Sequence, residues 1–341
     1  MPILEELRRR GHEIGLRTLA GEVEAMRSRG FDAAPISREV EALPMEDWRA
    51  RTGGGKRLRA LRTIRARARH DSRDLLRVLE EERPDAVLVD VLASGAIDAA
   101  AHGGGPWACY RPFPLPPFRG ALRFLGIARA LSSVPLHIYM SARPFASKRE
   151  DRLPNVVMVG PCQWEPPGDL PAELADVEEP FVLVTTSTEF QDDGRLAEVA
   201  LAALAEEPVH VVATLPAPVS RDVQSPDNAT VLPFAPHTPI LRRSACAITH
   251  GGMGATQKAL AMGVPVCAVP FGRDQFEVAR RVEASGAGNR LPVWRLKPER
   301  LRRKVREAIA CRPGAERIGR AFAAAGGAAA AADAVERRLL S

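Results

Sequence analysis

The chain has 341 residues, of which 45% are hydrophobic and 26% charged, and its formal charge at pH 7 is +6. These fractions are typical of globular proteins and exclude a disordered chain, a collagen and a small disulfide scaffold. The length predicts two domains, because single hydrophobic cores stop growing at roughly 250 to 300 residues.

The start of the chain predicts an amphipathic helix over Pro2–Arg10, with Ile3, Leu4 and Leu7 on one face and Gly11 at its end. It lacks the basic start and the apolar core of a secretory signal. No apolar run approaches the roughly 20 residues of a membrane-spanning helix. The five cysteines are widely spaced, which favours reduced core thiols over bridges or zinc ligands. These features predict a cytoplasmic protein.

Strand-like and helix-like segments alternate in the first half of the chain. Strands are predicted at His12–Leu19, Ala86–Asp90 and Trp107–Tyr110, with helices at Leu75–Glu82 and Ser94–Ala101. Such alternation favours an α/β fold whose parallel sheets are connected by helices.

A strongly basic segment, Lys56–Arg69, carries Leu58, Leu61 and Ile64 at helical spacing. A solvated helix face accounts for it, and weak peripheral contact with an anionic membrane is the alternative. Nucleic acid is not expected as a partner, because the segment has no aromatic residues for base stacking.

A proline-rich stretch, Pro161–Pro171, separates this half from a second series of strands and predicts a linker. The second series comprises Phe181–Thr185, Val209–Ala213, Thr230–Leu232, Ala245–Thr249 and Val264–Val269. We therefore expect an N-terminal domain at residues 1–160, a linker at 161–176 and a C-terminal domain at 177–315.

The most informative segment runs from Ala245 to Val282 and contains a strand, the sequence His-Gly-Gly-Met-Gly and a helix predicted over Ala255–Met262. Backbone N–H groups and the positive end of the helix dipole meet at such a turn, which therefore suits an anion such as a diphosphate. A tight turn without a ligand is the alternative.

This segment resembles the nucleotide-sugar half of family-1 glycosyltransferases, which include bacterial enzymes of macrolide and other natural-product biosynthesis and enzymes that use UDP-sugars. The resemblance is strongest from about Val231 to Leu291 and covers most of the chain. It implies a GT-B fold, in which two Rossmann-like domains with parallel sheets face a cleft, with the donor in the C-terminal domain. It also implies that the last segment, 316–341, packs back on the N-terminal domain.

The resemblance implies a nucleobase site at Phe234 to His237, where Phe234 stacks on the base and uracil and thymine both remain open. His250 corresponds to the residue that contacts the donor phosphates, and Thr188 to a hydroxyl residue that reaches them from a second loop. The other donor-binding positions around this turn are Gly252, Gly254, Ala255 and Thr256.

Asp274 and Gln275 correspond to the pair that holds the sugar hydroxyls, a role that suits a carboxylate beside an amide. A helix cap is the alternative role for Asp274. Lys258 stands where the family usually has a glutamate for the ribose, so UDP and dTDP both remain open as the nucleotide. No metal or other cofactor is implied, because the nucleotide-diphosphate sugar is a co-substrate.

In the family, an inverting transfer uses a histidine base at the end of the first strand. By the register of Arg10-Gly11-His12, that histidine is expected upstream of Met1 and absent from this chain, so the chain as given is expected to be inactive or to come from a start placed too far downstream. His12 is interpreted as structural. Asp90, after the strand Ala86–Val89, corresponds to the aspartate that orients the imidazole, and a helix cap is its alternative role.

The acceptor is expected to be a hydrophobic small molecule, with Pro112–Phe118 and Leu122–Leu131 as an apolar wall. Three alternative functions remain open: a GT-B epimerase, a lipid-linked sugar transferase, and a non-catalytic homologue that binds sugar nucleotides or regulates a partner.

Overall fold

The computed structural model describes residues 1–50, 52–114, 131–147, 155–215 and 225–341. The chain folds into two compact units. The first contains Met1–Met140, Arg149–Cys162 and Gly326–Ser341, and the second contains Ser141–Lys148 and Gln163–Ala325. Residues 115–118 and 122–130, most of the predicted acceptor wall, lie outside the described residues.

The first unit alternates helices and strands from its start. Its helices are α1 (Pro2–Arg9), α2 (Val23–Arg27), α3 (Arg38–Glu41), α4 (Gly53–Glu81) and α5 (Ser94–His102). Its strands are β1 (Gly15–Thr18), β2 (Asp32–Pro35), β3 (Val87–Asp90), β4 (Trp107–Arg111), β5 (Leu136–Tyr139) and β6 (Val156–Met158). The predicted basic segment is confirmed as helical, and it forms part of α4 together with the predicted helix Leu75–Glu82.

The strands of the first unit form two parallel sheets. One consists of β1 and β2, and the other has the order β3-β4-β5-β6. The central strands β4 and β5 of the larger sheet are buried, as expected where a parallel sheet is covered on both faces. Leu136 and Ile138 of β5 pack with Ile3 and Leu7 of α1 in one core cluster.

Helices α4 and α5 pack closely at a glycine. A Cβ atom at Gly95 would lie only 1.6 Å from the backbone oxygen of Ala68. Glycine at this position therefore sets the distance between the two helices, and α5 is thereby held directly after the end of β3.

Asp71 on α4 gives the first unit a testable pH dependence. Burial raises the pKa of its carboxyl from 3.8 to about 6, and Asp74 adds to the rise, whereas Arg67 and the Gly95 N–H oppose it. Since the folded pKa is the higher one, the fold favours the protonated Asp71 carboxyl. The contribution of this carboxyl to stability is therefore complete below about pH 4 and is lost as the pH rises through about 6. Asp71→Asn, which stays neutral, should therefore raise the melting temperature at neutral pH but not at acidic pH. Thermal unfolding at both pH values tests this, with the exposed Asp32→Asn as control; a variant that is less stable at neutral pH would contradict it.

The second unit has the same alternating pattern. Its strands are β7 (Phe181–Thr185), β8 (His210–Thr214), β9 (Ala229–Leu232), β10 (Ser244–Thr249), β11 (Val266–Ala268) and β12 (Gly288–Arg290). Its helices are α6 (Arg195–Leu204), α7 (His237–Arg242), α8 (Met253–Ala261), α9 (Gln275–Ala284), α10 (Pro298–Ile309) and α11 (Arg312–Ala324). The five strands predicted for this half of the chain are confirmed, with small shifts at their ends.

All six strands of this sheet are parallel, in the order β12-β11-β10-β7-β8-β9. The chain therefore builds outward from β7 in one direction and then from β10 in the other. Loops that leave adjacent strands in opposite directions open a crevice at the carboxyl ends of those strands, where open α/β sheets bind ligands. The switch point lies between β7 and β10.

The chain returns to the first unit through the last helix, α12 (Gly327–Leu339). Gly326 has a φ of +84°, which ends α11, and the Gly327 N–H donates to the Val159 carbonyl at 2.8 Å. The return therefore begins ten residues after the expected position 316, because α11 packs on α8 within the second unit. Within the first unit, Arg10 and His12 pair with Glu336 of α12 at 2.7 and 2.9 Å, which supports a structural role for His12.

No helix in the described part of the chain is long and apolar enough to cross a bilayer. Four cysteines are buried and Cys311 is partly exposed, and all five are free thiols. Their placement agrees with the predicted core thiols.

Candidate functional site

The glycine turn after β10 presents backbone donors. Gly251 has a φ of +82°, which reverses the chain directly after His250, and Gly252 then precedes the first turn of α8. Among the described residues, the N–H groups of Gly252, Met253, Gly254 and Ala255 donate no hydrogen bond. Four unpaired amides and the positive end of a helix therefore meet at the switch point.

His250 is packed tightly beside this turn. It is only 8% exposed, and its Nδ1 lies 3.9 Å from the Asp193 carboxylate. Burial lowers the pKa of His250, although Asp193 partly offsets this effect. Burial thus favours the neutral imidazole, in which one ring nitrogen can donate to a ligand oxygen.

The loop after β7 lies against His250. Asp193 accepts the Ser187 N–H at 2.7 Å, and the Gln191 amide donates to the Ser187 hydroxyl. Thr188 itself is exposed, next to this buried support. The loop therefore fixes Asp193 toward the imidazole and leaves the Thr188 hydroxyl accessible.

The turn after β11 completes this group of loops. Gln275 is buried, its Oε1 accepts the N–H groups of Phe271 and Gly272, and its Nε2 donates to Gln191 at 2.7 Å. It also touches the glycine turn, since a Cβ at Gly251 would lie 3.1 Å from the Gln275 carbonyl oxygen. Gln275 thus connects the three loops through its side-chain amide and its backbone.

Asp274 precedes α9 and makes no capping hydrogen bond with its side chain. Burial raises the pKa of its carboxyl. Its neighbour Arg273 has a φ of +50°, and Asp192 in the facing loop has a φ of +57°. Left-handed non-glycine residues are strained, and such strain is commonly found at functional sites.

Phe234 lies in the loop between β9 and α7, and His237 is the first residue of α7. Phe234 is 60% exposed, whereas the imidazole of His237 is held by the Thr214 hydroxyl at 2.9 Å. Burial lowers the pKa of His237 to about 4, and Lys258 lowers it further. An accessible aromatic ring is thus carried on a fixed segment.

Glu165 was missed by the sequence reasoning, which placed it in the linker. Its carboxylate accepts the N–H groups of His237 and Thr238 at 2.7 and 3.0 Å and pairs with Lys258 at 2.5 Å. Burial alone would raise the pKa of Glu165, but these partners lower it to about 2. Nearby, Gln163 donates to the Gly254 carbonyl. The segment Gln163–Glu165 therefore joins the Phe234–His237 loop to α8.

Thr256 is completely buried within the turn. Its N–H donates to the Gly252 carbonyl at 3.1 Å, and its hydroxyl lies 3.4 Å from that of Thr249. Ala255, by contrast, keeps an unpaired N–H. The first turn of α8 is thus supported by Thr256 and presents donors from the residues before it.

Asp90 lies in the first unit, at the carboxyl end of β3. Its Oδ1 accepts the Leu92 N–H at 2.8 Å, and desolvation by the surrounding atoms raises its pKa although the residue is exposed. Among the described residues, Asp90 is paired with no histidine. No cluster of three or more metal-ligating side chains is found in the described ranges.

A family model described as "Erythromycin biosynthesis protein CIII-like, C-terminal domain" matches residues 198–334. The 4'-demethylrebeccamycin synthase of Lentzea aerocolonigenes is 37% identical over 178 residues, which are 51% of this chain and 42% of that protein. An uncharacterized UDP-glucosyltransferase of Bacillus subtilis is 30% identical over 60% of this chain and 52% of its own length. The chain thus spans about half the length of these two relatives.

A rhamnosyltransferase of PGL/p-HBAD biosynthesis from Mycobacterium bovis is 30% identical over 319 residues, covering 78% of this chain and 69% of that protein. Two solved structures share the fold at low identity. The calicheamicin glycosyltransferase CalG4 is 22% identical with a TM-score of 0.80 over 99% of this chain and 94% of that one. The glycosyltransferase VinC, solved in complex with DTDP, is 21% identical with a TM-score of 0.73 over 99% and 95%.

The parallel six-stranded sheet with its glycine turn at the switch point indicates the same family and fold as these relatives do. The chain belongs to the family-1 glycosyltransferases and has the GT-B fold.

Proposed function

We propose that this protein transfers a hexose from a UDP- or dTDP-sugar to a hydroxyl group of a hydrophobic small molecule, with inversion and without a metal ion. The observation that carries the proposal is the set of four unpaired amides next to the buried His250 at the switch point. Donors fixed in this way stabilise the charge that develops on a departing diphosphate, and they need no reorganisation during the reaction.

The donor is proposed to lie along the second unit from Phe234 to Asp274. Phe234 stacks on the base, an interaction worth roughly 1–3 kcal/mol that accepts either pyrimidine. Asp274 accepts hydrogen bonds from sugar hydroxyls. The Gln275 side chain bonds Phe271, Gly272 and Gln191. Its proposed role in sugar binding is therefore to fix the loop that carries Asp274. The UDP-glucosyltransferase relative and the VinC complex with DTDP support both nucleotides as candidates.

In the proposed reaction, the acceptor oxygen attacks the anomeric carbon while the bond from that carbon to the phosphate oxygen breaks. A base takes the acceptor proton, and the negative charge moves to the diphosphate. Asp90 is the proposed positioning residue for an imidazole base. The relative named for demethylrebeccamycin supports a natural-product acceptor.

A radiolabelled-sugar transfer assay with UDP- and dTDP-hexoses and a panel of hydrophobic alcohols tests this function. Stoichiometric formation of a glycoside with the inverted anomeric configuration is expected. Epimerised sugar or a lipid-linked product would instead identify one of the other two GT-B activities.

Because Asp90 is paired with no histidine in the described structure, a non-catalytic sugar-nucleotide-binding protein is the second candidate, and tight donor binding without turnover would favour it.

Glu165→Gln tests the support of the nucleobase site. Loss of the charge pair with Lys258 and weaker bonds to His237 and Thr238 should lower the affinity for UDP or dTDP about tenfold and the stability by about 1–3 kcal/mol. Calorimetric titration checks the affinity, with the exposed Glu173→Gln, also within residues 161–176, as control.

The pH dependence of this support follows from its pKa. Since the pKa of Glu165 falls from 4.5 to about 2, its stabilising contribution is complete above about pH 4.5 and is lost as the pH falls toward 2. The effect of Glu165→Gln on affinity should therefore be constant across neutral pH. An effect that disappears between about pH 6 and 8 would contradict this assignment.

A further inference from the structure

The outward side of α4 has no role in the proposed reaction. The inner side of this helix packs on α5, where Ala68 approaches Gly95. A second side is covered by the preceding segment, since Arg67 donates to the Leu43 carbonyl at 2.9 Å. The third side is exposed, and we call these residues the basic face: Leu58, Arg59, Arg62, Arg65, Arg69, Arg73, Leu76 and Arg77.

The spacing of these residues places them along one line of the helix. Most of their positions are separated by four or three residues: 58, 62, 65, 69, 73 and 76. Residues at this spacing lie above one another on an α-helix. The basic face therefore extends over about 27 Å, at 1.5 Å per residue. Such a line of side chains can lie along an extended, flat partner and does not need to enclose a small ligand.

The charge of the basic face is concentrated in its first half. Residues 53–70 contain neither Asp nor Glu. The side chains of Arg59 and Arg62 form no hydrogen bond or ion pair with a described residue. Three carboxylates lie toward the C-terminal end of the face: Glu39, Asp74 and Glu80. The first half is thus complementary to a surface that carries many negative charges.

Two exposed leucines on the same face favour a bilayer over other polyanions. Leu58 is 41% and Leu76 is 45% exposed. In a helix that lies in a membrane interface, such leucines enter the boundary of the acyl chains while arginines remain at the lipid phosphates. The helix Gly53–Glu81 has no aromatic side chain on which a nucleobase could stack. An anionic bilayer therefore accounts for the arginines and the leucines together, whereas a nucleic acid accounts for the arginines alone.

We propose that the basic face docks the first unit on an anionic lipid surface. The arginines bind the lipid phosphates, and Leu58 enters the boundary between headgroups and acyl chains. Docking is peripheral and reversible, because two exposed leucines bury little apolar area in the bilayer. The proposal is independent of sugar transfer by the second unit.

Binding is tested by sedimentation of the full chain with vesicles of phosphatidylcholine that contain about 30% phosphatidylglycerol, and with vesicles of phosphatidylcholine alone. At low salt the chain should bind the anionic vesicles at least about tenfold more tightly, and added salt should reduce this preference by screening. Arg59→Gln/Arg62→Gln should weaken binding to the anionic vesicles about fivefold for each arginine removed. Arg337→Gln/Arg338→Gln is the matched control, because it removes the same charge from exposed positions of α12 outside the basic face.

Leu58→Ser provides a second variant, which keeps every charge of the basic face. It should weaken binding to the anionic vesicles about threefold to tenfold and leave the binding of a single-stranded RNA unchanged. Because Leu58 is exposed, thermal unfolding should show that the variant is as stable as the wild-type chain. Absence of sedimentation with anionic vesicles at low salt, or equal losses in the two double variants, would overturn the proposal. Vesicle binding that Leu58→Ser leaves unchanged would also overturn it and would assign the face to a polyanion such as nucleic acid.

Discussion

Gly252→Ala is expected to weaken binding of UDP or dTDP about a hundredfold. The backbone at this position, with φ −62° and ψ 139°, accepts alanine, but the added Cβ would lie 2.2 Å from Nε2 of His250. The imidazole is buried beside Asp193, so it cannot turn away without disturbing this packing. Relief of the clash displaces both the imidazole and the first amides of α8. Loss of two charged hydrogen bonds at about 1.5 kcal/mol each corresponds to the hundredfold loss of affinity.

Calorimetric titration with each nucleotide measures this loss. Overpacking should also cost about 1–3 kcal/mol of stability, so circular dichroism must show that the variant is folded at the temperature used. Gly105→Ala is the control, since no heavy atom lies within 4 Å of its added Cβ. Unchanged affinity in folded Gly252→Ala protein would mean that the glycine turn is only a turn.

Gly95→Ala is expected to destabilise the first unit by about 3 kcal/mol or more. Alanine favours a helix over glycine by up to about 1 kcal/mol, but here its Cβ would lie 1.6 Å from the Ala68 oxygen and 2.4 Å from the Ala68 carbonyl carbon. These atoms belong to the backbone of α4, so a side-chain rotation cannot relieve the contact and the two helices must separate. The clash therefore outweighs the helix propensity.

Urea unfolding followed by hydrogen exchange of α4 and α5 peptides measures this effect. Gly54→Ala is the matched control, because Gly54 lies in α4 with open space around it and should gain stability from alanine. If Gly95→Ala is as stable as the wild-type chain, the close packing of α4 on α5 is wrong.

The strands that the sequence predicts are mainly those at the centre of the sheets. Phe181–Thr185 is buried along its whole length, so it is a continuous apolar run. β12 (Gly288–Arg290) and β6 (Val156–Met158) were missed because they are three-residue strands at sheet edges, where an apolar run is not required. β5 was missed although it is central, because His137 interrupts its run.

The glycine turn was predictable because its donors come from consecutive residues, and local sequence alone places them at the end of a strand. The support of the site was not predictable in this way. Glu165 and Lys258 are 93 residues apart, and the proline-rich segment that carries Glu165 shows no periodic pattern. Gln275 was expected to face the sugar, but its contacts with Gln191, 84 residues away, appear only in the fold.

The most direct test is hydrogen–deuterium exchange of the peptide His250–Met262 with and without a UDP- or dTDP-hexose. If a sugar diphosphate accepts the N–H groups of Gly252 to Ala255, exchange in this peptide should slow markedly, with smaller protection around Phe234 and Asp274. Nucleotide that binds while this peptide exchanges at its original rate would show that the diphosphate lies elsewhere.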